Sequence, residues 1–149
     1  MCGVRVVGAG RWSAMKVAVT GAFGYSGRYI AMRLLGAGHD VMTLTNSVGR
    51  ANLFGGRLRA VPFRFEEPER LCESLRDVDA LVNTYGVRFD HRLFTHRQAV
   101  ANTKILFDAA RQAGVRRIVH ISITNPDIGS DLPYFRGKAL VEESLRESG

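Results

Sequence analysis

Two spacings in this 149-residue sequence could do chemistry. The first is Tyr134-Phe135-Arg136-Gly137-Lys138. Four residues apart on a helix, a phenol and an ammonium project from one face. A lysine ammonium beside a phenol favours the phenolate and lowers the tyrosine pKa toward the range of a working acid or base. Taken alone, that spacing more often belongs to a surface tyrosine and lysine at a helix start. The second spacing is Thr20-Gly21-x-x-Gly24-x-x-Gly27. Gly21 permits a tight turn, Gly24 lets the backbone approach a pyrophosphate, and Gly27 allows a following helix to lie close on the strand. The first N–H groups of that helix have no intrahelical partner, and the helix dipole favours an anion there.

These residues need elements to place them. Lys16–Thr20 reads as a strand and Arg28–Leu35 as a helix, stopped by Gly36-Ala37-Gly38. Asp40–Asn46 reads as the second strand and Arg57–Phe65 as the third, with Pro68 opening the next helix. Asp79–Thr84 has a nearly continuous apolar interior, as expected of a strand covered on both faces. A helix from about Leu93 to Ala113 ends at Gly114, and Ile118–Thr124 forms the fifth strand. A loop over 125–133 precedes a last helix, Tyr134–Glu147. Such alternation predicts an α/β, doubly wound parallel sheet in three α/β/α layers, with strand order 3-2-1-4-5. The switch point between strands one and four then sets Gly21–Gly27 and Thr84-Tyr85 on one crevice.

The position just past the second strand decides between nicotinamide cofactors. A carboxylate there would hold the ribose hydroxyls of NAD, whereas an arginine accommodates the extra phosphate of NADP. The sequence reads Asn46-Ser47-Val48-Gly49-Arg50, and Asp40 stands at the wrong end of the strand. Arg50 therefore favours NADP over NAD through a charge-assisted phosphate contact, with a solvated loop charge as the plainer alternative. Asp90, His91 and His96 lack a third ligand at a helpful spacing, so no metal is expected. His120, between Val119 and Ile121, reads as a packed core histidine.

The bulk properties describe one ordinary globular domain: 46% hydrophobic and 23% charged residues. The net charge of +7 is carried mostly by arginines scattered along the chain, with lysine only at 16, 104 and 138. Scattered arginine suits an anionic cofactor better than a nucleic-acid surface. No apolar run approaches the ~18 residues of a membrane helix. Cys2 and Cys72 form no disulfide or zinc pattern, and a reducing cytoplasm is the default expectation. Residues 1–15 contain Val6-Val7-Gly8-Ala9-Gly10, which imitates a dinucleotide turn but has no room for a helix before Lys16. This stretch reads as a poorly ordered extension, and 16–149 as the domain.

Three motifs together resemble the short-chain dehydrogenase/reductase superfamily, and most closely its extended and atypical branches, NmrA-like and epimerase-like. They are Thr20-Gly21-x-x-Gly24-x-x-Gly27, the run Leu106-Phe107-Asp108-Ala109-Ala110-Arg111-x-Ala113-Gly114-Val115-Arg116-Arg117 before a strand, and Tyr134-x-x-x-Lys138. The resemblance covers residues 16–149 and implies a Rossmann domain for NADP, or alternatively NAD. It implies that Gly21, Phe23, Gly24, Tyr25 and Gly27 border the cofactor at one end. Asn46, Arg50, Thr84, Tyr85 and Lys138 would border it elsewhere. By the same resemblance Lys138 holds the nicotinamide ribose and Tyr134 exchanges a proton with a small-molecule substrate as hydride moves.

Two departures from the pattern stand out. Where the family places a catalytic serine late in strand five, this chain has Ile123, flanked by Ser122 and Thr124 on one strand face as possible substitutes. Where an aspartate often reads adenine after strand three, it has Phe63-Arg64. Asn102 resembles the helix asparagine that supports the lysine in relatives, with its register shifted. Relatives continue well beyond the Lys138 helix, so the C-terminal substrate region is expected to be missing and this chain alone inactive. An open fifth-strand edge rich in Ile and Val then calls for a partner or a homo-oligomer. The resemblance thus implies an oxidoreductase or sugar-nucleotide-epimerase domain, or else a non-catalytic NADP(H) sensor or accessory structural subunit.

Overall fold

The computed structural model describes residues 13–86 and 94–148. Its elements run β1 (Lys16–Thr20), α1 (Tyr25–Gly36), β2 (Asp40–Leu44), β3 (Leu58–Val61), α2 (Pro68–Ser74), β4 (Ala80–Asn83), α3 (His96–Gln112), β5 (Arg117–His120) and α4 (Pro133–Glu147). All pairings are parallel, and the sheet order is β3-β2-β1-β4-β5, as the sequence predicts. Alternation along the strands splits the interior into two cores. Ala18, Met42 and Leu81 face α2, α3 and α4, with Leu71, Leu75 and Leu106 fully buried between them. Val17, Val19 and Val41 face α1 and Ala31. Each such leucine contributes about 2 kcal/mol by leaving water.

Several element ends differ from expectation, each for a local reason. α1 begins at Tyr25, three residues early, because Gly24 is extended (φ −86°, ψ −179°) and serves as its N-cap. α3 begins at His96 because the Thr95 hydroxyl accepts the main-chain N–H of Gln98. β3 stops at Val61, opposite Leu44 where β2 stops, and Arg64 then turns at φ +51°. β5 ends at His120, not Thr124: its partner β4 ends at Asn83, and the final rung is Ile121 N–H to Asn83 O, 2.9 Å. Beyond that rung β4 leaves the sheet, so Ser122 and Thr124 do not share a strand face. The extension boundary also moves slightly, since Met15 accepts from Asp40 N–H (3.0 Å) and packs on the α1-side core. Residues 1–12, including the 6–10 imitation turn, lie outside the described residues.

The strand starts are tied as well. Asp79 accepts from the main-chain N–H of Lys16 at 2.9 Å and pairs with Arg116 at 2.5 Å. These two contacts hold its carboxyl below the usual carboxylate range. At the other margin of the sheet β5 has a partner on one side only, and Val119, in register with Val82 on the α1 side of the sheet, is 43% exposed. No helix among the described residues is long and apolar enough to cross a membrane.

Candidate functional site

The glycine turn is built by close approach. Gly21 takes φ +65°, a left-handed conformation that glycine adopts without penalty. Gly24 N–H donates to Gly21 O at 2.8 Å and closes the turn. A Cβ on Gly27 would stand 2.3 Å from that same oxygen, so only glycine lets α1 start here. The turn is locked to β2 by Thr43, whose hydroxyl accepts Ala22 N–H (3.0 Å) and donates to Val19 O (2.7 Å). α1 carries no side-chain cap and no acidic residue in its first turn. Its leading N–H groups, on Tyr25, Ser26 and Gly27, therefore have no intrahelical acceptor and sit at the positive end of the helix dipole. They border a cleft of about 600 Å³, closed on the far side by Thr84, Tyr85 and Gly86.

A single amide fixes that far side. Asn83 is fully buried at the end of β4. Its Oδ1 accepts from Thr20 Oγ1 at 3.0 Å and from Tyr85 N–H at 3.1 Å, while its Nδ2 lies 3.1 Å from His120 Nδ1. Thr84 adds two more links to β1, from its N–H to Thr20 Oγ1 (2.7 Å) and from its hydroxyl to Thr20 O (2.6 Å). The carboxyl ends of β1, β4 and β5 are thus joined by side chains. Next to them Tyr85 packs against Phe63 and Phe65, with ring centroids 4.9 and 5.3 Å away. Its hydroxyl accepts from Asn102 Nδ2 at 2.9 Å, and burial raises its pKa. Asn102 therefore serves Tyr85, and Phe63, in the place expected of an adenine-reading aspartate, is part of the cleft wall.

Tyr134 and Lys138 are brought together on the first turns of α4. Both line a small cavity of about 30 Å³ together with Gly86, Thr103 and His120. Lys138 Nζ donates to Ile121 O at 3.1 Å, and a Cβ on Gly86 would lie 3.7 Å from it. Gly86 borders both spaces, so the ammonium stands at the boundary between the large cleft and the small cavity. Burial lowers the Lys138 pKa, opposed by the nearby Glu142 carboxylate. Burial, and then the Lys138 charge, push His120 down to about 4. The Tyr134 ring meets His96 edge-on, with centroids 5.7 Å apart.

The other residues singled out from sequence scatter. Phe23 is buried against Phe54, so it can offer a ligand its main chain only. Tyr25 is 78% exposed beside the cleft. Asn46 and Arg50 are exposed on the loop after β2, beside the glycine turn because β2 adjoins β1. Thr124 is exposed past β5, whereas Ser122 Oγ is buried and meets no hydrogen-bond partner among the described residues. His120 is packed on Phe107, as expected, but it also carries the Asn83 contact. Asp90 and His91 lie outside the described residues. Cys72 is half-buried beside the larger core. Sequence reasoning missed Asn83 and Gly86; an amide closing an otherwise apolar strand was the available signal for the first.

Comparison with known proteins agrees with this architecture. The family described as NAD dependent epimerase/dehydratase matches residues 17–125. The chain is 28% identical over 138 residues to the photosystem II assembly factor Ycf39 of Cyanophora paradoxa, covering 91% of this chain and 42% of that protein. It is 24% identical over 141 residues to the mitochondrial NADH dehydrogenase [ubiquinone] 1 alpha subcomplex subunit 9 of Mus musculus, covering 90% and 37%. The chain thus spans about four tenths of the length of these curated relatives. Among solved structures, triphenylmethane reductase from Citrobacter sp. superposes with a TM-score of 0.75 at 21% identity, over 90% of this chain and 46% of that one. Structures with this fold have been obtained with NADP(H) for that reductase and with NAD+ for WbmH of Bordetella bronchiseptica. With its family match covering most of the sheet, this chain belongs to the NAD dependent epimerase/dehydratase family.

Proposed function

We propose that this chain is the NAD(P)-binding domain of an oxidoreductase or sugar-nucleotide epimerase, with Tyr134 and Lys138 as its acid/base pair. The observation that carries the reading is the uncapped start of α1, where a Cβ on Gly27 would strike Gly21 O at 2.3 Å. That geometry suits a diphosphate on bare amides. The adenine end fits the apolar wall of Phe63 and Tyr85, and Arg50 favours NADP over NAD through its charge. When bound, the nicotinamide supplies or takes the hydride. Tyr134 exchanges a proton between its phenol oxygen and a substrate hydroxyl or carbonyl. Lys138, held by Ile121 O, keeps an N–H group for the ribose and its charge near the phenol. Substrate selection belongs to further protein, since the chain spans under half of its relatives, and a partner or a second copy covers the β5 edge in a cytoplasmic assembly.

A second reading has its own support. Ile123 stands where the resemblance expects serine, and β5 ends three residues before it. One relative is named an assembly factor and another a subunit of a larger complex. On this reading the domain holds NADP(H) as a sensor or accessory subunit without turnover. Titrating NADPH and NADH into wild type and Arg50→Ala tests the binding site. Binding of NADPH that weakens several-fold in Arg50→Ala supports the preference, and failure of both nucleotides to bind overturns both readings. Turnover of carbonyl compounds by the full-length protein, lost in Tyr134→Phe, separates the enzyme from the sensor.

A further inference from the structure

The hydrogen bonds around Asn83 determine where His120 carries its proton. A main-chain N–H can only donate, so the Asn83 atom 3.1 Å from Tyr85 N is the oxygen. Thr20 Oγ1, 3.0 Å from the same atom, agrees with that orientation. The amide nitrogen then faces His120 Nδ1 at 3.1 Å, and an amide nitrogen has no lone pair to offer. Nδ1 is the acceptor, and a neutral ring must hold its proton on Nε2. Nε2 is buried, and no described protein atom accepts from it. An unmet buried donor carries its full desolvation penalty, so an oxygen is wanted there.

The cavity that His120 lines with Tyr134, Lys138 and Gly86 supplies the space. Its volume of about 30 Å³ suits a water, which needs roughly 10–15 Å³ and two to four polar partners. Lys138 commits one N–H to Ile121 O and has two left. Two donors from β5 and α4 call for an acceptor oxygen, not a cation. A water in that position has two hydrogens of its own to give, and Tyr134, whose phenol oxygen can accept, lines the same cavity.

We infer that His120 is a positioning residue for the Tyr134–Lys138 pair, acting through a buried water held jointly by His120 Nε2–H and a Lys138 N–H. Its catalytic consequence rests on the proposed acid/base role of that pair; the water site itself does not. The charged and titratable groups around the ring are Lys138 and Glu142 on α4, with Tyr134 on the same helix, His96 on α3 and Tyr85 after β4. His120 stays neutral in this setting, so it orients and does not itself shuttle protons.

The test uses the purified chain without cofactor, with ¹⁵N-labelled histidine and lysine. The expected result is an Nε2–H tautomer for His120, a long-lived water with a cross-relaxation signal to that proton, and a Lys138 amine that titrates lower in His120→Phe. His120→Gln, which keeps a donor, returns the Lys138 titration toward wild type. An Nδ1–H tautomer, no water signal, or a Lys138 titration identical in His120→Phe overturns the inference. Should His120→Phe fail to fold, the wild-type tautomer and water signal decide. If Tyr134→Phe in the full-length protein turns over like wild type, the acid/base reading fails while these resonances stay as they are.

Discussion

Gly27 lies so close beneath the Gly21 carbonyl that no side chain fits between them: a Cβ would come within 2.3 Å of the oxygen and 2.7 Å of the carbonyl carbon. Both atoms are backbone, so relief requires moving the turn or the helix. Gly27→Ala is expected to destabilise the domain by about 1–3 kcal/mol and to abolish dinucleotide binding. Gly36→Ala is the control, because nothing lies within 4 Å of its Cβ position. That change should be neutral or stabilising by about 0.5–1 kcal/mol. Urea unfolding with NADPH titration on both variants checks the pair.

Asn83 gives a prediction with two arms. Asn83→Leu removes the partner of Thr20 Oγ1, Tyr85 N–H and His120 Nδ1 at once, and should cost about 3 kcal/mol of stability. Asn83→Asp keeps the acceptor but turns an oxygen toward His120 Nδ1. That atom must then carry a proton, so the His120 pKa should rise well above about 4 and its tautomer should change. Histidine ¹⁵N shifts against pH read both outcomes.

Stability should fall on mild acidification, and the sign follows from His120. Its folded pKa of about 4 lies below the unfolded 6.5, so between these values the unfolded chain binds more protons. Stability is therefore at its full value above 6.5 and declines as pH drops toward 4. The expected slope is up to about 1 kcal/mol per pH unit, reduced by the ring's partial contact with solvent. His120→Gln should flatten it. Asp79 acts lower on the scale: its folded pKa is depressed, so its contribution persists above 3.8 and disappears only in stronger acid.

Lys138 separates binding from stability. Its ammonium is partly buried and held by a neutral carbonyl, so removing the charge relieves desolvation while deleting one hydrogen bond. Lys138→Met should leave the unfolding midpoint within about 1 kcal/mol of wild type. Dinucleotide affinity should fall about tenfold or more, the loss of one charge-assisted contact. Calorimetric titration and thermal unfolding on one sample distinguish the two effects.

The sheet order was legible from sequence because each strand of a doubly wound fold carries its own apolar run and each helix its own stop. The end of β5 was not, because a strand stops where its neighbour stops. Nothing in Ile121-Ser122-Ile123-Thr124 records that β4 leaves the sheet at Thr84. The packing of Phe23 was hidden for a related reason: it stands in a glycine turn suited to a ligand, and its ring packs against Phe54, 31 residues later in the chain. The Tyr134–Lys138 pair was readable as a spacing. Its neighbours Gly86, Ile121 and His120 were not, since they come from two separate segments, after β4 and at the end of β5, that meet the last helix only after the sheet forms.

Bracing β1, β4 and β5 through Asn83 has a thermodynamic corollary. The ground beneath an incoming nucleotide is already stiff in the free domain, so association should surrender little chain entropy on that side of the groove. Discrimination between ligands then comes from fit to a standing shape and from the loops at its rim, with the floor itself unchanged between empty and loaded states.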